Sequence, residues 1–186
     1  MSDLICDGYE DVYGAIDWKE VTRYFHAMKA VKALSRTRVL KMIRHESDAY
    51  LTADFFINND VLRNKFGVQS TSINMHEMMD QLHNGDGTGN YTLPIRDVYN
   101  LNDEDEAEAE AITKGLIADA DECWMDEDKV LKSVRFNVLT RKLMDHFGCN
   151  AFTAQCKECC ATTRINQEQL TYCLGHSLNN ECGIAS

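Results

Sequence analysis

The chain has 186 residues, 44% hydrophobic and 26% charged, with a formal net charge of -11; this suits a globular protein with a real core and excludes chain-wide disorder. No stretch approaches the roughly 20 consecutive apolar residues of a membrane helix, and residues 1–10 carry Asp3, Asp7 and Glu10 where a signal peptide needs a basic segment and an apolar run. The expected location is therefore cytoplasmic with no membrane partner, a compartment in which eight cysteines stay reduced and metal binding is the first explanation for them.

The charge is unevenly spread. Residues 18–45 hold eight basic side chains against Glu20 alone, whereas residues 100–128 hold twelve acids against Lys114 alone. Net acidity opposes nucleic-acid binding, which draws its non-specific affinity from phosphate neutralisation, but the basic front keeps that class open.

In chain order, Trp18, Val21, Phe25, Met28 and Val31 recur at three- and four-residue spacing, which predicts an amphipathic helix with Lys and Arg opposite. Ser35 as an N-cap predicts a second helix carrying Val39, Leu40 and Ile43. Thr52 caps a predicted helix over 53–66, with Phe55, Leu62 and Phe66 on one side and Gly67 ending it. A further helix is predicted over about 71–83, with Met75, Met78, Met79 and Leu82 as its stripe. Residues 84–90 are turn-like by their glycines, and 91–95 are a short extended piece that Pro94 assigns to a sheet edge.

Acids alternate with alanine over 103–110, which reads as a solvated linker or as an exposed helical start continuing to Ala120, and the domain boundary is expected there. A strong helix is predicted from about Asp126, with acids at its N-terminal turn and Gly148 at C′. Leu131, Val134 and Val138 form one stripe, and Phe136, Leu139, Leu143 and Phe147 another. Two stripes imply burial on both flanks, as in a dimer helix or the central helix of a domain.

The C-terminal segment carries Cys156-x2-Cys159, thirteen intervening residues, and Cys173-x2-His176. Two chelating pairs at this separation match the ligand spacing of structural zinc sites. A thiolate pair on a tight turn supplies two tetrahedral positions, and a Cys and a His one turn apart on a helix capped by Asn166 supply the others. The spacing resembles that of treble-clef and zinc-ribbon fingers, which implies a zinc-stabilised module with Cys156, Cys159, Cys173 and His176 as ligands. Cys149, Cys160 and Cys182 crowd the same region. Cys160 is an alternative to Cys159, and Cys182 to His176; buried thiols without metal are the bland reading.

Residues 60–73, Asp-Val-Leu-Arg-Asn-Lys-Phe-Gly-Val-Gln-Ser-Thr-Ser-Ile, resemble a helix-turn-helix: a short helix, a turn glycine, one apolar residue, then a helix opening with small polar residues. With the basic helix before it and the Gly-rich turn and 91–95 after it, the stretch is similar to a winged-helix domain. That resemblance implies duplex DNA as a partner, with Gln69, Ser70, Thr71, Ser72 and Asn74 at the groove and Lys41, Arg44, Arg63 and Lys65 at phosphates. A plain helical pair packed through methionines is the alternative.

Asn84, Asp86 and Thr88 imitate a calcium loop, but Ile95 stands where its bidentate Glu is required. Cys6, Cys123 and the lone histidines lack a partner for nucleophilic catalysis, so no enzyme activity is expected. The expected architecture is mainly α: a winged-helix-like domain with a β-hairpin (1–100), an acidic connector (101–125), and a helix plus zinc-binding module (126–186). The expected function is a DNA-binding transcriptional regulator whose C-terminal module self-associates or contacts a protein. The other class is a non-enzymatic structural, adaptor or inhibitor protein acting through protein contacts.

Overall fold

The computed structural model describes residues 17–43, 59–75, 78, 101–154 and 171–186. The chain divides into two compact units, Met1–Arg36 and Thr37–Ser186. In the first, helix α1 (Trp18–Ser35) opens at Asp17, whose carboxylate accepts the backbone N–H of Glu20 at 2.8 Å. This is an N-cap of the ordinary kind. No residue of α1 is buried.

The second unit is built on strand β1 (Arg38–Ile43). β2 (Gln69–Asn74) and β3 (Ala151–Ala154) flank it in the order β2-β1-β3, and both pair with it in parallel. Leu40 stands opposite Thr71 on one side and Phe152 on the other. A bridge from Ala151 to Ala185 adds the C-terminus beyond β3. Helix α2 (Asn59–Phe66) precedes β2 and ends at Gly67, whose φ of 75° lets its N–H reach back to the Arg63 carbonyl at 2.9 Å.

One expected helix, and the start of another whose Met75 and Met78 are helical, are strands here. Val39, Leu40 and Ile43 lie on β1, and Ser35, expected to cap a new helix, is the last residue of α1, where its hydroxyl donates to the Lys32 carbonyl. As the central strand, β1 has a hydrogen-bonded neighbour along each edge, and its alternation, with Leu40 and Met42 in the core and Lys41 between them, has the two-residue period of a strand. The predicted start of the helix over 71–83 is β2: Ser and Thr are weak helix formers, and the backbone of Gln69 instead bonds to the Thr37 carbonyl at 3.1 Å as the ladder begins. The expected β-hairpin of the wing, at 84–95, lies outside the described residues.

Helix α3 (Asp103–Asp119) begins with a reciprocal capping box: Asn102 Oδ1 accepts the N–H of Asp105, and Asp105 Oδ2 accepts the N–H of Asn102, each at 2.9 Å. It packs on α4 (Glu127–His146) by burying Ala109 and Thr113, and ion pairs tie Asp105 to Lys142, Glu106 to Arg135 and Glu108 to Arg141. The stretch expected to be a linker or a helical start continuing to Ala120 is thus the helix, and its acids clamp it to α4 inside one unit.

The two stripes of α4 identify it as the central helix. It buries Val134, Val138 and Leu139 together with Phe136 and Leu143, and contacts α3, β3 and the C-terminal helix α5 (Tyr172–Glu181). Phe136 lies 4.8 Å from Tyr172 and 6.4 Å from Phe152, centroid to centroid, which joins α4, α5 and β3 in one core with Leu40 and Met42 of β1. The fold is mainly helical around a small three-stranded parallel sheet.

Candidate functional site

Cys173 and His176 of the expected zinc set lie one turn apart on α5, as the spacing predicts, although the helix opens behind Thr171, later than the predicted start after Asn166. Three-residue separation places the two side chains on neighbouring positions of one helix face. Cys173 is exposed and His176 half-buried. The His176 ring lies 5.5 Å from that of Phe152, and its Nδ1 is hydrogen-bonded to the hydroxyl of Ser186. Burial lowers the pKa of His176 from its ordinary value, so the ring favours the neutral form that a metal needs. With Nδ1 engaged, Nε2 is the nitrogen left for a ligand, the arrangement found where a hydrogen bond fixes a metal-binding imidazole.

Cys156 and Cys159, and the alternative Cys160, lie outside the described residues, and among the described residues no group of three or more His, Cys, Asp or Glu is gathered closely enough to hold a metal. Cys182 is exposed at the end of α5. Cys149, half-buried before β3, points its sulfur at the Phe147 carbonyl 3.8 Å away. Burial pushes its thiol up, against smaller opposing pulls from Thr71 and Arg38, which makes it a poor nucleophile.

The residues expected at DNA are dispersed over different elements. Lys41, on β1, reaches Asn59 Oδ1 at 3.4 Å. Arg63 and Lys65 are exposed on α2, and Arg63 pairs loosely with Asp60 at 3.7 Å. Gln69, Ser70, Ser72 and Asn74 are exposed on β2, where Thr71 is half-buried, so they sit on a strand in place of the recognition helix. Arg44 lies outside the described residues.

Sequence reasoning passed over a second feature. Between α3 and α4, residues 120–126 hold Trp124 at 89% exposure and Met125 at 56%, amid Asp119, Asp121, Glu122, Asp126, Glu127 and Asp128. The loop has its own bonds: Trp124 Nε1 donates to Glu122 Oε2 at 2.8 Å, and the Cys123 thiol donates to the Met125 carbonyl at 3.5 Å. A tryptophan without apolar neighbours at helical or strand spacing is the signal that was available. Also passed over were Asn137 and Asn179, both buried between α4 and α5, which break apolar stripes and therefore need each other.

Compared with models of known protein families, with curated proteins and with solved structures, the chain finds no match.

Proposed function

We infer that this chain is a non-enzymatic adaptor or structural protein that works through protein–protein contacts. The observation carrying the reading is the acidic loop with Trp124 and Met125 held outside the core. Trp and Met are enriched at the centres of interfaces, and an exposed tryptophan with six acids within five residues of it in sequence suits a partner with an apolar pocket and a basic rim.

The experiment uses the Trp18→Phe chain, which leaves Trp124 as the sole tryptophan of the two. A synthetic amphipathic Leu/Lys helical peptide should move the Trp124 emission to the blue at low salt, and the shift should shrink as salt screens the acids. A Leu/Glu peptide should leave it unmoved. Emission indifferent to the basic peptide at low salt removes this reading.

A DNA-binding regulator is the second reading, supported by exposed Arg63 and Lys65 on α2 beside the exposed polar residues of β2. Its readout would come from the edge of a sheet and would not use a helix in the major groove. A gel-shift titration with duplex DNA, repeated for Arg63→Gln/Lys65→Gln, tests it. Zinc held by Cys156, Cys159, Cys173 and His176 is part of both proposals; bound there, it would supply folding energy to the C-terminal segment.

A further inference from the structure

α1 carries an apolar face none of whose residues is buried. Trp18 is 83% exposed, Phe25 64%, Met28 65% and Val31 58%, and the positions of Trp18, Val21, Phe25 and Met28 follow the spacing of helix-docking anchors. Four large side chains on one helical face exceed the scattered exposure of an ordinary surface. The helix is also basic: over residues 18–36, five Lys and Arg stand against Glu20, a local balance of +4.

Charge decides what can cover this face. Pairing α1 with a second α1 sets +4 against +4, and pairing two acidic loops sets six acids against six over residues 119–128, which contain no base. Both arrangements are repelled at contact distance. The crosswise pairing is attracted, and each side brings exposed apolar anchors, Trp18, Phe25 and Met28 on one and Trp124 and Met125 on the other. Lys32 adds a finer constraint. At 100° per residue it projects between Val21 and Phe25, inside the apolar arc, where a carboxylate on the covering surface would pair with it.

We propose that α1 of one copy docks on the acidic Trp124 loop of a second copy, and that the exchange is reciprocal. Two identical crosswise contacts close a twofold dimer, the commonest symmetry of soluble oligomers. The inference rests on the protein-contact reading of the Trp124 loop and adds the identity of the occupant.

Sedimentation velocity of the full chain tests it, over a concentration series at low and high salt. The wild-type chain should show a concentration-dependent dimer that weakens about tenfold or more as salt screens the contact. Lys19→Glu/Arg23→Glu/Lys29→Glu should be monomeric, as should Asp119→Lys/Asp121→Lys/Glu122→Lys/Glu127→Lys, which leaves only Asp126 and Asp128 against four lysines over residues 119–128, each with unchanged far-ultraviolet circular dichroism. An equimolar mixture of these two variants should recover the dimer, because each reversed helix meets a reversed loop; no defect in folding produces that recovery. A wild-type chain monomeric throughout overturns the proposal, as does a dimer unaffected by either reversal. A monomer that instead sediments with phosphatidylserine vesicles through α1 also overturns it. If the chain is monomeric while the basic peptide still shifts Trp124, the inference fails and the protein-contact reading survives; if the peptide is also inert, both fail.

Discussion

Asn137 of α4 donates from Nδ2 to Asn179 Oδ1 of α5 at 2.8 Å, and both side chains are within 2% of complete burial. The same amide reaches the Gly175 carbonyl at 3.1 Å, and Asn179 passes the chain of bonds on to the Ser186 hydroxyl at 3.3 Å. Two helices are thereby fixed in rotation and register, because a slip of either leaves buried amides unmatched. Ser186 also bonds to His176, so one short network sets both the packing of α5 and the orientation of its imidazole.

Asn137→Leu should therefore destabilise the second unit by about 1–3 kcal/mol, since it strands Asn179 Oδ1, which accepts from Asn137, in an apolar site. Asn137→Leu/Asn179→Leu should be less destabilised than the sum of its single variants, because the orphaned partner goes too. Urea unfolding followed by circular dichroism gives both numbers. Strict additivity would mean that the two amides do not depend on each other.

Gly175 sits where α5 crosses α4, yet a methyl group added there meets Phe136 Cδ1 at 3.7 Å and Asn137 Cβ at 3.8 Å, ordinary contact distances. No unusual backbone angle requires glycine at this helical position. Gly175→Ala should then raise stability by about 0.5–1 kcal/mol through the smaller entropy of the unfolded chain. A loss of stability in the same urea experiment would show that the α4–α5 spacing is tighter than these distances imply.

Legibility in the sequence followed how local the cause was. The Gly67 stop and the double stripe of α4 are set by neighbours within a turn or two, and α1, the end of α2 and α4 all stand where the periodicity puts them. β1 and β2 were read as helix because their identity depends on partners far along the chain: Val39 pairs with Ser70 and with Ala151. A run such as Val39-Leu40-Lys41-Met42-Ile43 fits either state until its neighbours are known. The acids of α3 looked solvated for the same reason, since Arg135, Arg141 and Lys142, which neutralise them, come after the intervening loop. On the site, the Cys173–His176 pair was legible as a one-turn spacing, whereas Ser186 was not, because nothing local says that the C-terminus returns to His176.

Asp105 supplies a pH dependence with a definite sign. Burial alone would raise its pKa, but the Asn102 backbone N–H and the Lys142 ammonium, by hydrogen bond and charge, outweigh it and hold the carboxyl below its usual 3.8. Folding thus favours the ionised form. Its contribution is complete above the unfolded value and is lost as pH falls below about 3.8 through the lower folded value. Asp105→Ala removes the capping box and the Lys142 pair together, and should cost about 1–2 kcal/mol at neutral pH. Its deficit relative to the wild-type chain should narrow as pH falls below that range. A deficit constant from neutral pH to well below the usual carboxylate range would show that the charge on Asp105 does not matter to the fold.

The zinc proposal makes its sharpest prediction at a residue that does not bind the metal. Cys173→Ser and His176→Gln, as direct ligands, should each reduce the metal found by elemental analysis from about one zinc per chain toward none. Ser186→Ala leaves every donor in place and removes only the bond that orients the His176 ring through Nδ1. A partner of that kind is worth about 10- to 100-fold in metal affinity, so the Ser186→Ala chain should still load with zinc but yield it to a chromophoric chelator at a correspondingly lower concentration. Asn179→Ala disturbs the same network one bond further from the ring and should weaken retention less, since the Ser186 hydroxyl keeps its bond to the imidazole. Protein purified without zinc, or zinc content indifferent to both Cys173 and His176, would remove the metal from this end of the chain and leave the Asn137–Asn179 network as what holds α5 in place.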